Sequence, residues 1–327
     1  MVEQVAKNIY RIGVPLPKNP LKELNSYFIR GDESDLLIDT GFRCDECREA
    51  LEQGLKELGS DAARRDVLLT HIHSDHSGMA DIFVGPGRKI YMSEIDLDYM
   101  RIFLAGETER LRKDRFASEG FTKEMLDVIY ANNPAVKMAL KELSDAFVGF
   151  KDGDTFTVGE YTFEAILVPG HTPGNCMFWA KEQGIMFSGD HILFDITPNI
   201  TEWSKVEDSL GDYIESLERV KNYDVKLTLP GHRKTGDYAR RIDEILSHHR
   251  VRIDEAMGIV KSLPGMTAYD IAGKMTWKIR ADNWADFPIV QKRFAVGECI
   301  SHLDYLIKRG KVRKEFADSY WRYYPAG

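Results

Sequence analysis

Cysteine is scarce: 327 residues hold four, and only Cys44 and Cys47 stand at Cys-x-x-Cys spacing. With no second such pair, a four-thiolate zinc site cannot be assembled. The pair is read as the first turns of a helix after Gly41, with a zinc or redox role as the alternative. Cys176 and Cys299 are read as core residues, and so few cysteines fit a reducing, cytoplasmic setting. Long apolar runs are missing too. The opening residues MVEQVAKNIYRIGVPLP place Glu3 early and have no long apolar core, so they are read as neither a signal peptide nor a membrane span. Positive charge is not in excess: 44 Lys and Arg against 52 Asp and Glu leave a net charge of −8. That excludes a global attraction to nucleic acid or to an anionic membrane. Nor is there a Gly-x-Ser-x-Gly elbow, so Ser188-Gly189-Asp190 is not a serine-hydrolase nucleophile.

What is present concentrates in one stretch, Thr70-His71-Ile72-His73-Ser74-Asp75-His76. It follows an apolar run, Asp66 to Thr70, that reads as a short buried strand. Imidazole suits zinc and iron, and carboxylate oxygen completes such sites. His71, His73 and Asp75 are spaced by two while His76 points elsewhere, so one loop can serve two metals. Three later points add one His or Asp each, always where an apolar run ends in a turn of small residues. They are Pro169-Gly170-His171, Ser188-Gly189-Asp190-His191 and Leu229-Pro230-Gly231-His232. His191, beside Asp190, is read as either an outer hydrogen-bond donor or a plain buried histidine.

These motifs, together with Leu37-Ile38-Asp39-Thr40-Gly41 one unit earlier, resemble the metallo-β-lactamase superfamily in its glyoxalase II-like hydrolase branch, over about residues 5–235. The resemblance implies an α/β fold, an αββα sandwich with metals at one edge. It implies two divalent ions, zinc first, with iron or manganese admitted by the same ligands. One ion would take His71, His73 and His171, the other Asp75, His76 and His232, with Asp190 bridging and Asp39 supporting the loop ligands. Asp75 and Asp190 are the implied catalytic carboxylates: a hydroxide held between two metals attacks the substrate, oriented by Asp75.

Read in order, Asn8–Val14, Asn25–Arg30 and Asp35–Asp39 predict an antiparallel meander, followed by a helix over Cys47–Leu58. Residues 93–149 predict a helical insertion with apolar stripes, the last through Val136, Leu140, Leu143 and Phe147. An insertion of that length is read as a lid or pocket wall, with a homodimer surface as the alternative. The loop after Asp190 is expected to line the pocket with Phe194 and Trp203. Tyr238–Val260 predicts one long helix, whose His248 and His249 are read as surface residues. The domain division is placed at 1–235 and 236–327.

The last part resembles a small winged-helix module: helices over Thr267–Met275 and Gln291–Lys308, then a hairpin. From Val251 onward thirteen Lys and Arg face nine Asp and Glu, and Arg293, Lys308, Arg309, Lys311, Arg313 and Lys314 could meet phosphate. The reading that follows is a metal-dependent hydrolase of a small ester, thioester or lactone. The alternatives are a phosphodiesterase or endoribonuclease on the same metals, and a mononuclear iron persulfide dioxygenase.

Overall fold

The computed structural model describes residues 1–131, 133–278, 281 and 283–327, with the backbone alone at 134 and 135. Seven strands form one sheet in chain order: β1 (Val2–Ala6), β2 (Ile9–Pro15), β3 (Glu23–Ile29), β4 (Asp35–Ile38), β5 (Arg65–Leu68), β6 (Ile90–Ser93) and β7 (Phe147–Phe150). Pairing is antiparallel from β1 to β4 and parallel from β4 to β7. A second sheet holds β8 (Thr155–Val158), β9 (Tyr161–Leu167), β10 (Cys176–Ala180), β11 (Ile185–Gly189) and β12 (Leu227–Pro230), in the spatial order β12-β11-β10-β9-β8. A separate hairpin pairs β13 (Val312–Ala317) with β14 (Tyr320–Pro325).

The helices are α1 (Asp45–Glu57), α2 (Ser74–Ser77), α3 (Ala80–Phe83), α4 (Glu94–Leu104), α5 (Glu107–Ser118), α6 (Lys123–Ala131), α7 (Pro134–Lys137), α8 (Ser209–Val220), α9 (Tyr238–Ser262), α10 (Ala268–Ala272) and α11 (Ile289–Lys308).

Period-two alternation explains the layering. Between the sheets, Tyr27, Ile29, Ile38 and Leu68 of the first meet Phe163, Phe178 and Phe187 of the second. The opposite face of the first sheet offers Ile12, Val14 and Leu37 to Leu51 and Leu55, one helical turn apart on α1. The opposite face of the second offers Ile166, Met177 and Met186 to Leu210, Tyr213 and Leu217 of α8 and to Ile242 and Ile245 of α9. Each fully buried side chain of this kind contributes about 1.5–3 kcal/mol. The expected αββα sandwich is therefore present.

Three expectations fail. The insertion is not helical to residue 149: helix ends at Lys137, and Phe147–Phe150 is the strand β7 beside β6. Leu140 and Leu143 still pack on the core under the first sheet, but from irregular chain, so their helical spacing did not require a helix. The first strand lies at Val2–Ala6, where polar Glu3 and Gln4 hide the alternation. His249 is not a surface residue. It is buried where α8, α9 and α11 meet, its ring 5.5 Å from that of Tyr213 and 5.6 Å from that of His302.

The insertion and the C-terminal region share one core. Phe116, Leu126 and Ile129 of α5 and α6 pack with Ala256 of α9 and with Val296, Ile300 and Leu303 of α11. Thr267 caps α10 as expected, in a reciprocal capping box with Asp270. Among the described residues no helix is long and apolar enough to cross a membrane.

Candidate metal centre

The His and Asp side chains singled out above sit on turns at one edge of the sandwich, and the fold brings seven of them together. The loop after β5 carries His71 and His73, and α2 holds Asp75 and His76. His171 follows β9, Asp190 follows β11, and His232 follows β12. Three groups have ligand atoms within 4.8 Å of one another: His71, His73 and His171; Asp75, His76 and His232; and His71, His76 and Asp190. The Asp190 carboxylate stands between the first two groups. Its Oδ2 lies 3.7 Å from His171 Nε2 and 3.5 Å from His232 Nε2, and its Oδ1 lies 3.5 Å from His76 Nε2.

Four of the imidazoles have their outer nitrogen already engaged. Asp39 Oδ2 accepts from Thr70 Oγ1 at 2.7 Å and from His76 Nδ1 at 2.7 Å. Having given its proton to Asp39, the Thr70 hydroxyl accepts from His71 Nδ1 at 3.0 Å. His171 Nδ1 donates to the Asn199 carbonyl at 3.0 Å, and His232 Nδ1 to the Glu23 carbonyl at 2.8 Å. Each inner Nε2 is thereby left as a lone pair aimed into the pocket. Two such lone pairs, on His76 and His232, face each other at 3.2 Å. His71 Nε2 and His73 Nδ1 approach to 3.1 Å. His171 Nε2 and Asp190 Oδ1 are buried with no hydrogen-bond partner among the described residues. Converging lone pairs and an orphaned carboxylate oxygen call for positive charge between them, so these residues fit divalent ions. Gly231 matters to that fit: a Cβ there would meet Asp190 Oδ1 at 2.7 Å and His76 Cε1 at 2.8 Å.

The electrostatics divide the cluster in two. Burial and neighbouring imidazoles hold His71 and His73 well below the ordinary histidine range, which keeps them neutral. For His76, burial works against charge, but Asp39 and Asp190 outweigh it and raise its pKa. Burial also opposes charge on Asp75, yet His232, with Nε2 3.6 Å away, and the neighbouring His76 bring it down to about 2.

His191 is buried at the back of this edge, its ring packed 5.0 Å from that of Tyr213 and both nitrogens unpartnered among the described residues. It is a core residue. Phe194 packs in the core outside the second sheet, whereas Trp203 does reach the site, 5.9 Å from the His73 ring. Cys44 and Cys47 begin α1 as expected, and no candidate metal group among the described residues includes them.

Sequence reasoning missed Asp96. It is fully buried and accepts from Ile72 N at 2.8 Å, Thr172 Oγ1 at 2.8 Å and Gly174 N at 2.7 Å. One carboxylate thus ties the His71–His73 loop to the His171 loop. Its signal was an acid on the same helical stripe as Met100 and Phe103, four and seven residues on. Glu298 was missed as well. It reaches from α11 to Asn199 Nδ2 at 3.4 Å, behind the carbonyl that orients His171.

Next to the cluster opens a cavity. The insertion supplies much of its wall, including Tyr99, Met100, Phe103 and Val136, with His73 and Trp203 at the metal end. The insertion is thus a pocket wall.

Residues 23–232 match the family model described as metallo-beta-lactamase superfamily. The chain belongs to the metallo-beta-lactamase superfamily. Residues 285–326 match a second model, the metallo-beta-lactamase-like C-terminal domain, so the helix–hairpin end has counterparts in the same superfamily. The chain is 28% identical over 223 residues to a Homo sapiens protein named acyl-coenzyme A thioesterase MBLAC2, covering 64% of this chain and 73% of that one. It is 26% identical over 233 residues to the atrochrysone carboxyl ACP thioesterase of Emericella nidulans, covering 71% of this chain and 57% of that one. Among solved structures, a beta-lactamase domain protein from Burkholderia ambifaria superposes with a TM-score of 0.87 at 25% identity, over 99% of this chain and 94% of that one. As a superfamily enzyme the chain is a metal-dependent hydrolase.

Proposed function

We propose that this hydrolase cleaves acyl thioesters at a dinuclear zinc centre. The carrying observation is the seven-residue cluster, with its inner lone pairs bare, opening into a largely apolar cavity of acyl character. The relatives named as thioesterases support the same substrate class. His71, His73 and His171 would hold one ion, Asp75, His76 and His232 the other, with Asp190 shared. Bound there, divalent ions would supply a water of near-neutral pKa and a Lewis acid for the thioester carbonyl. Asp75 stays ionised at neutral pH, and its carboxylate would orient the attacking water. Asp39 and the Asn199 and Glu23 carbonyls keep the imidazoles in the tautomer the site needs. Tyr99, Phe103 and Trp203 bind the acyl chain and exclude bulk water.

Chelation is expected to abolish thioester turnover, and added zinc to restore it. The same preparation is to be assayed on acyl-coenzyme A, p-nitrophenyl esters, a lactone and bis-p-nitrophenyl phosphate. Preferred turnover of the phosphodiester, or activity indifferent to chelation, would remove this reading. The C-terminal cations favour acyl chemistry over RNA cleavage, because several are spent inside the chain. Lys308 pairs with Glu207, Arg309 with Asp208, Arg313 with Glu315 and Lys314 with Asp304.

The C-terminal region instead braces the site. Ser301 Oγ donates to the Ile200 carbonyl at 2.8 Å, and a Cβ on Gly297 would collide with Thr201 Oγ1. Gly297→Ala is expected to shift residues 199–203 and lower thioester kcat/KM about tenfold. Alanine favours the helix by about 1 kcal/mol, so the melting temperature should not fall to match. Unchanged kinetics would show that α11 does not set the loop.

A further inference from the structure

Two guanidinium groups face the cavity without a part in the hydrolysis proposed above. Arg112 comes from α5 in the insertion and Arg293 from α11, and both line the cavity. The Arg112 guanidinium lies over the Trp203 ring at 4.7 Å, and the same ring lies 5.9 Å from that of His73. The cation and the metal cluster are thus about one indole apart. Arg112 is held only loosely by a carboxylate, with Nε 3.8 Å from Glu202 Oε1, while its Nη2 is buried with no hydrogen-bond partner among the described residues. Arg293 Nε is likewise buried and unpartnered among them. Burial weakens the basicity of Arg112; Glu202 opposes this, and Arg293 adds to it as a like charge close by. Two cations therefore line one cavity, where Glu109 is paired with Lys113 and Glu202 is only loosely paired with Arg112, and an N–H on each guanidinium has no partner among the described residues. Planar forked donors of this kind are made for a carboxylate or phosphate.

We propose that Arg112 and Arg293 bind an anionic group on the acyl part of the substrate, so that the chain prefers thioesters whose acyl chain carries a carboxylate a few bonds from the reacting carbonyl. This rests on the thioesterase reading above. A phosphate on a pantetheine leaving group offers the same chemistry. It lies roughly a dozen bonds from the sulfur, however, and overshoots a site one indole from the metals.

Glutaryl and pentanoyl thioesters of N-acetylcysteamine test this, since they share a leaving group and a chain length and differ in the terminal carboxylate. The parent is expected to prefer the glutaryl thioester by about 30-fold in kcat/KM, and Arg112→Gln or Arg293→Gln to bring the ratio to within about threefold of unity. Arg110→Gln, at an exposed arginine facing Asp114 on the same helix, is the control and should keep the parent ratio. A second measurement needs no turnover: glutarate titrated into the metal-loaded protein by calorimetry should bind at least about tenfold more weakly to Arg293→Gln. Equal turnover of both thioesters, with glutarate binding indifferent to Arg293, would overturn the anion subsite and leave the thioesterase reading standing. Absence of any thioester turnover, with glutarate binding still dependent on Arg293, would sink the thioesterase reading and uphold the subsite. A preference for coenzyme A over N-acetylcysteamine whatever the acyl group, lost with either arginine, would assign the pair to leaving-group phosphate and overturn the acyl-side assignment.

Discussion

Asp190→Asn is expected to cut thioester turnover by about a thousandfold and to reduce the metal content from two ions to one or fewer per chain. The residue is buried, 5% exposed, with carboxylate oxygens within 3.5–3.7 Å of Nε2 on three histidines. Burial opposes its charge, yet His232 and His76 hold it far below the usual carboxylate range. It is thus the negative charge against which both halves of the cluster are balanced. The amide keeps the volume but replaces one acceptor with an NH2 donor aimed at a place built for a cation. Because packing is preserved, loss of activity without loss of ions would place Asp190 in substrate or water orientation instead. Two ions per chain together with activity within about threefold of the parent would discard the bridging role. Elemental analysis and kcat/KM on one preparation decide between these outcomes.

Asp96→Ala should destabilise the fold by about 3–5 kcal/mol and slow turnover about a hundredfold. Removing the carboxylate strands three donors: Ile72 N, Thr172 Oγ1 and Gly174 N. It also uncouples the loops carrying His71, His73 and His171, so the ligands lose their common register. Asp96→Asn separates charge from contact. Burial is the main influence on the parent acid and raises its pKa from 3.8 to about 6, although Thr172, Gly174 and Ile72 pull the other way. The folded state therefore holds this proton more tightly than the unfolded chain does. Its stabilising contribution is complete below about pH 4 and is lost as pH rises through about 6, a change of about 3 kcal/mol. Asparagine has nothing to titrate. In chelated protein the urea stability of the parent relative to Asp96→Asn should fall by that amount between pH 4 and 7. A pH-independent difference would mean that Asp96 keeps an ordinary pKa and that its burial is compensated.

The ligand loops were legible because each joins a strand signal to a chemically unmistakable residue. His71, His73, Asp75, His76, His171, Asp190 and His232 all end apolar runs at turns, and all converge. Asp39 was also legible, and its left-handed backbone (φ 59°) marks the turn that aims it at Thr70 and His76. The insertion was legible as a segment and only partly as structure. The stripe from Val136 to Phe147 obeys helical spacing, yet Leu140 and Leu143 lie in irregular chain and Phe147 begins the edge strand next to β6. His249 was misread because local sequence shows one neighbour, α9 itself, whereas the helix is packed on two sides, by α8 and α11.

Sequence alone determined the donor set, since these residue types stand where apolar runs end in turns, and the sandwich with its metal edge was legible only through the superfamily resemblance that those motifs carry. Tertiary structure alone decided which buried groups support that set. Asp96 reaches Gly174, Glu298 reaches Asn199, and Arg112 and Arg293, 181 positions apart in sequence, line one cavity. Local pattern carries no trace of such pairings, because a hydrogen bond or a shared cavity depends on where two separate elements come to rest against a common core, and only the folded chain fixes that.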